Sequence, residues 1–307
     1  VHILSAWKTT NANDRFATPE FADLPMKLFY DRNDLTHAKK LKDDRFKWLQ
    51  DLGATELLAS NSQDIGFLFG YEHGEAHLAT QVGNRPGIHD RPEERRELVN
   101  LDDVLHKLYE TGIEVPTPLT WVIGIDDELP NDLSFPLFVR TPKSSWKRGG
   151  GQAKVRNLKE LNEEGELLRR AFGWDTPIIA REWLDIAPAG KWMFGDAPQE
   201  IRCWVVDGTP VAWSFHYLHA VQSPAGFPPS TEDLMQIETM ASSVARPFAS
   251  RLVAADFVRD VNGDWHFMEA GPGAACGTAH ETVFKHVART LIGDAETLEA
   301  DSVGGPF

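Results

Sequence analysis

Cysteine is scarce: Cys203 and Cys276 are the only two in 307 residues, and they stand far apart. Neither a disulfide framework nor a zinc site is indicated, and both are read as packing residues, the usual fate of a free cysteine. No run of about 18 apolar residues occurs, so a membrane-spanning helix is not expected. Residues 1–8 lack the basic segment, long apolar core and cleavage site of a secretory leader, and a cytoplasmic location is the expectation. No internal repeat or low-complexity tract is visible, which argues against a solenoid or a disordered chain. Positive charge is in deficit as well. Lys and Arg total 31 against 46 Asp and Glu, and the formal charge of −15 repels nucleic-acid backbones and anionic membranes.

One stretch reverses that deficit. Residues 134–158 contain no Asp or Glu, while Arg140, Lys143, Lys147, Arg148, Lys154 and Arg156 supply six positive charges. On so acidic a protein this local inversion asks for an anionic ligand. The rest of the composition, 42% hydrophobic and 25% charged, is that of a folded globular chain, and its length suggests two or three lobes.

Residues 1–98 read as an α/β lobe, with strands at 2–7, 26–30 and 65–69 and a helix at 38–51 ended by Gly53. Residues 82–96, rich in Gly, Pro and charge, suit a connection between lobes. A helix at 101–109 follows, with Asn100 as its N-cap and Gly112 beyond its end. Strands are expected at 135–141, 153–156 and 177–184, around a helix at 158–172. Two hairpins come next, turning at Asp207-Gly208 and Asn262-Gly263, with a helix at 231–249 between them. A last helix at 279–292 precedes a loose tail.

Four segments carry chemistry. If Asn262 and Gly263 are the central residues of a two-residue turn, Asp256 stands directly opposite Glu269, with Val258 opposite Phe267 and Ala254 opposite Gly271. Two carboxylates so opposed have Cβ atoms about 5 Å apart and repel, a conflict that a cation would relieve. Hard divalent ions such as Mg2+ are held through one or two carboxylates plus phosphate oxygens. A three-residue turn would instead shift the register and leave one carboxylate as an ordinary surface charge.

In the second segment a strand delivers Arg140 to its end, and Gly149, Gly150 and Gly151 follow, where backbone N–H groups can approach an anion closely. The lysine followed by Ser or Thr that marks a P-loop is absent. Third, residues 178–185 form an apolar strand interrupted by charge, able to offer backbone hydrogen bonds to an adenine edge, or simply an amphipathic strand. Fourth, a regular hairpin places Glu200, Arg202 and Trp204 on one face with Arg202 opposite Trp213, where Arg202 reaches a phosphate or substrate carboxylate, or pairs with Glu200 and stacks on Trp213. Trp146, Trp183, Trp192, Trp204 and Trp213 gather around the same segments, which favours a peptide or aromatic partner unless they are core.

Taken in order, these pieces resemble the ATP-grasp superfamily over residues 101–292. The resemblance implies an α/β (α+β) fold: an N-terminal lobe at 1–98, a lid subdomain with its lead-in helix at 99–184, and a C-terminal antiparallel-sheet subdomain at 185–307. It also implies a carboxylate–amine ligase that forms an amide through an acyl phosphate, with ATP and Mg2+ as cofactors. By that resemblance Arg140, Lys143, Lys147 and the glycines 149–151 meet the phosphates, and Glu182, Trp183 and Leu184 meet the adenine. Asp256 and Glu269 hold the metal, and Arg202 steadies the acyl phosphate. Two positions depart from the family pattern: Arg140 stands for its usual lysine, and Gly271 for an asparagine that serves as a third metal ligand. A water or His280 is the expected substitute for that asparagine. Expected partners are a small-molecule or peptide carboxylate and an amine, with no nucleic acid and no membrane; a homodimer, a small-molecule kinase and a non-catalytic ATP-binding regulator stay open.

Overall fold

The computed structural model describes residues 25–41, 44–70, 82–83, 85, 87–143, 153–192, 195–216, 227–278, 280–293 and 304–306. The expected strand at 2–7 and the segment 144–152 lie outside them, and with the latter Trp146, Lys147, Arg148, Gly149, Gly150 and Gly151. Among the described residues no helix is long and apolar enough to cross a membrane.

The first lobe is a parallel sheet of order β2-β1-β3-β4, built from β1 (Lys27–Tyr30), β2 (Thr55–Glu56), β3 (Gly66–Phe69) and β4 (Ile88–His89). Its two central strands are nearly continuous apolar runs, as a sheet covered on both faces requires. Two helices stand where one was expected, α1 (Arg32–Leu41) and α2 (Arg45–Asp51), and Gly53, at φ +80°, ends the second. The stretch expected to be a connection is instead built into this lobe, as β4 and then α3 (Pro92–Arg95). Buried Arg95 donates to Asp90 at 2.7 Å and to the Leu68 carbonyl, and Ser250 donates to the other Asp90 oxygen at 2.6 Å. That network ties the lobe to the C-terminal sheet.

After α4 (Leu101–Glu110) comes an antiparallel sheet of order β5-β8-β6-β7, from β5 (Thr120–Ile123), β6 (Leu137–Arg140), β7 (Ala153–Val155) and β8 (Ile178–Glu182). Helix α5 (Leu158–Phe172), capped by the Asn157 side chain, packs Leu161 and Leu168 against Leu137, Val139 and Ile178. Two short strands the sequence does not announce follow, β9 (Pro188–Trp192) and β10 (Gly195–Pro198). Their Pro, Ala, Gly and Asp residues are poor strand formers.

The C-terminal sheet has the order β14-β13-β11-β12-β15, with β11 (Glu200–Val206), β12 (Thr209–Phe215), β13 (Leu252–Arg259), β14 (Trp265–Pro272) and β15 (Gly304–Pro306). Where a loose tail was expected, residues 304–306 extend the sheet along β12. Helix α6 (Thr231–Ala245) opens on a reciprocal Ser230–Asp233 capping box and stops short of residue 249, because Pro247 disfavours helical backbone just before it. It covers one face of the sheet, packing on Ile201, Cys203, Val205, Trp213, Phe215, Phe257 and Phe267. On the other face Trp204, Leu252 and Ala254 pack against the first lobe and against α7 (Glu281–Leu291).

Both hairpins of this sheet carry a one-residue bulge. The first turns at Asp207-Gly208 as expected, both at positive φ, but Val211 is extra on β12. Arg202 therefore faces Ser214, and Trp213 faces Cys203. A one-residue slip turns every later side chain over. Trp213 and Phe215 thus enter the core beneath α6, while Ser214 and His216 join Arg202 on the other face.

The second hairpin has two irregularities that cancel. Asp260 N–H donates to the Asp264 carbonyl, so the loop holds three residues, Val261, Asn262 and Gly263. The slip this creates, Phe257 opposite Phe267 and Val258 opposite His266, is undone by an extra residue at Met268. Beyond it Asp256 stands opposite Glu269 and Ala254 opposite Gly271, as the simple turn predicts for the wrong reason.

Candidate active site

The bulges assemble one polar surface on the face opposite α6. Arg202 on β11 lies directly between Ser214 on β12 and Asp256 on β13, and Glu269 on β14 lies beyond Asp256. Without the bulge at Met268, Glu269 would follow the parity of Phe267 and point into the apolar core under α6.

Each opposed carboxylate has its own guanidinium. Arg202 grips Asp256 with two bonds, Nε to Oδ1 at 2.8 Å and Nη2 to Oδ2 at 2.7 Å, and donates through Nη1 to the Gly277 carbonyl at 2.7 Å. Arg140 crosses from β6 to donate to Glu269 at 2.6 Å, with 10% of its side chain exposed. Its remaining donors meet the Thr141 and Lys143 carbonyls. The repulsion expected of the opposed carboxylates is thus already offset by two cations. Arg202 neither stacks on Trp213 nor takes Glu200 as its main partner, because the bulge at Val211 turns Trp213 to the other face.

Burial pushes the Asp256 carboxyl up to about 6 against the pull of Arg202, with Glu269 and Glu200 adding to the rise. Burial also disfavours the charge on Arg202, but the Asp256 carboxylate outweighs it and holds the guanidinium firmly protonated. His216 sits between two carboxylates, Nδ1 at 3.9 Å from Glu200 and Nε2 at 3.8 Å from Asp256. Among the described residues Glu200, His216 and Asp256 are the group whose ligand atoms lie close enough together to hold a metal. His280, the substitute expected from sequence, stands outside it.

A buried residue the sequence reading passes over holds the lid sheet to this surface. Arg181 on β8 donates to Thr120, Thr117 and the carbonyl of Met268, the bulged residue itself, at 3.0, 2.8 and 2.6 Å. Burial and then Arg140 push its pKa down to about 9, with Glu269 opposing, and it remains a cation at neutral pH.

At the hinge, Glu182 is exposed, and the Trp183 N–H is spent on the Pro136 carbonyl at 3.2 Å. Lys154 lies 4.1 Å over the Trp183 ring. A cleft of about 500 Å3 opens along Trp183, Leu184, Asp185, Ile186, Asp196 and Val261. Lys143 is exposed, with its backbone bridged to Asn100. Of the tryptophans grouped from sequence, Trp204 and Trp213 are core, and Trp183 lines the cleft.

The fold has solved relatives. D-alanine–D-alanine ligase from Bacillus anthracis, solved with ATP, superposes with a TM-score of 0.58 at 14% identity, over 87% of this chain and 96% of that one. A RimK domain ATP-grasp protein from Sphaerobacter thermophilus gives 0.55 at 12%, over 88% and 99%. N5-carboxyaminoimidazole ribonucleotide synthetase from Thermotoga maritima gives 0.50 at 14%, over 76% and 59%. Likeness at such identities speaks for the fold alone. No curated protein matches the sequence. A family model described as an ATP-grasp domain, clade family 3, matches residues 126–291, more than half of the chain and all of the surface just described. The chain belongs to that ATP-grasp family.

Proposed function

We propose that this protein is an ATP-dependent ligase that activates a carboxylate as an acyl phosphate and joins it to an amine. ATP-grasp ligases use ATP and Mg2+. Asp256 and Glu269 fit the ion: they are opposed oxygen donors on adjacent strands, and hard cations are held by one or two carboxylates together with phosphate oxygens. Mg2+ there would neutralise charge developing on the transferred phosphoryl group. The observation that carries the reading is the meeting of Arg140, from the lid sheet, with Glu269 and the Asp256–Arg202 pair of the C-terminal sheet.

In this reading Arg140, with Lys143, Lys147 and the glycines 149–151, binds the phosphates, and the hinge at 182–184 carries the base beside the cleft. Because the Trp183 N–H is committed to Pro136, the Trp183 carbonyl and the Leu184 N–H are the groups left to recognise an adenine edge. Arg202, fixed by Asp256, steadies the acyl phosphate. Preorganised cations in a water-poor site are generally the largest catalytic contribution, and such chemistry needs no nucleophilic side chain.

The test is ADP release against pools of amino acids, dipeptides and small carboxylates. A ligase releases ADP and free phosphate only when carboxylate and amine are both present. ADP without free phosphate would point to a kinase, and Mg-ATP binding with no ADP from any pool would sink the enzymatic reading.

A further inference from the structure

Gly271 leaves the side of Asp256 facing β14 without the family's third ligand. Its own surroundings allow little in exchange: a Cβ added there would sit 3.2 Å from the Cys276 sulfur. On the other side of Asp256 the bulge at Val211 has turned an imidazole inward. His216 is buried, and each ring nitrogen faces a carboxylate at a distance too long for a hydrogen bond.

We propose that His216 Nε2 is the further ligand to the divalent cation held at Asp256, and that Glu200 orients the ring through Nδ1. The inference rests on the reading of Asp256 as a metal ligand. Ligands bound at about 2.1 Å in cis positions are separated by roughly 3–3.5 Å. The 3.8 Å between Nε2 and Asp256 Oδ2 closes to that with a small side-chain movement. A metal-bound histidine usually donates its other ring N–H to a carboxylate, which fixes the tautomer and raises the basicity of the ligating nitrogen. Glu200 is placed for that bond, about an ångström beyond hydrogen-bonding range. The two Arg202 bonds use one lone pair on each Asp256 oxygen, and each oxygen keeps a second for the metal.

A nitrogen donor changes which ion the site prefers. Mg2+ favours an all-oxygen shell, whereas Mn2+ and its heavier neighbours accept imidazole. The site is expected to bind Mn2+ at least about tenfold more tightly than Mg2+.

The test uses Mn2+, alone and with ATP, on protein carrying 15N-labelled histidine, and reads electron spin echo modulation, which separates histidine nitrogen from adenine nitrogen. The wild type should show a 15N coupling. His216→Gln and His216→Ala should lose it along with the preference for Mn2+, and Glu200→Gln should weaken Mn2+ about 10- to 100-fold. Mn2+ bound with no 15N coupling, or a coupling that survives both His216 substitutions, overturns this inference while leaving Asp256 and Glu269 as metal ligands. Failure of the wild type to bind Mn2+, with or without ATP, overturns both.

Discussion

Replacing Glu269 with Gln keeps the shape of the side chain and removes one charge. From sequence, two facing carboxylates argue that the variant should be at least as stable as wild type without metal. The structure reverses the sign. Glu269 accepts a 2.6 Å charge-assisted bond from Arg140, and only 10% and 17% of the two side chains are exposed. Converting such a bond, worth about 1.5–3 kcal/mol, to a neutral one, worth about 0.5–1.5, loses roughly 1–1.5 kcal/mol. Relief of the cross-strand repulsion with Asp256 returns about 0.5 kcal/mol. The variant should therefore be about 0.5–1 kcal/mol less stable in metal-free buffer, a fall of about 2 °C in Tm at this size. Urea denaturation gives the difference directly. Adding Mg-ATP at a hundredfold excess over Kd should stabilise wild type by ~2.7 kcal/mol and the variant much less. A variant more stable than wild type without metal would show that Arg140 does not balance Glu269. Equal stabilisation of both proteins by Mg-ATP would remove Glu269 from the metal site.

Arg140→Ala should weaken ATP binding and abolish turnover, whereas Arg140→Lys should keep part of both, since lysine retains the charge and loses the fork; isothermal titration with ATP decides, and unchanged affinity in the alanine variant places Arg140 outside the phosphate site. Arg181→Met leaves the Met268 carbonyl and two threonine hydroxyls without their donor, and should cost about 3 kcal/mol in urea denaturation while leaving nucleotide-independent spectra native. Burial, then Arg251, pushes the His89 pKa down to about 4 from 6.5, so the neutral ring stabilises the fold above pH 6.5 and that stability is lost as pH falls towards 4. His89→Phe should flatten this acid limb by about 1–2 kcal/mol, discounted for the partial exposure of the ring, and identical limbs in both proteins would show that His89 does not titrate with unfolding.

Much of the fold could be read from local signals. Helix 158–172, the apolar strands β1 and β3 and the Asp207-Gly208 turn carry periodicity, caps or turn residues that belong to the segment itself. The β9–β10 pair could not, because Gly, Pro and Ala there form strands only in their tertiary setting. The site shows the same division at finer scale. Asp256 and Glu269 were legible as a facing pair because a three-residue loop and a bulge cancel. The partner of Arg202 was not, since the single bulge at Val211 has nothing to cancel it, and with it went the only clue to His216. Arg181 resembled an ordinary strand charge until its contacts showed which carbonyl it holds.

The cancelling pair divides the second hairpin into two zones of opposite parity, one from its tip to Met268 and the other from Glu269 to Pro272. A change in length at the tip can therefore be absorbed at Met268, provided Arg181 still finds a carbonyl there. Loop remodelling at 261–263 becomes a route to altering the surface beside Val261, at the edge of the cleft, without rotating either carboxylate. Deleting the extra residue at Met268 with the loop intact does the reverse: the tip stays as it is, and Glu269 is carried under α6.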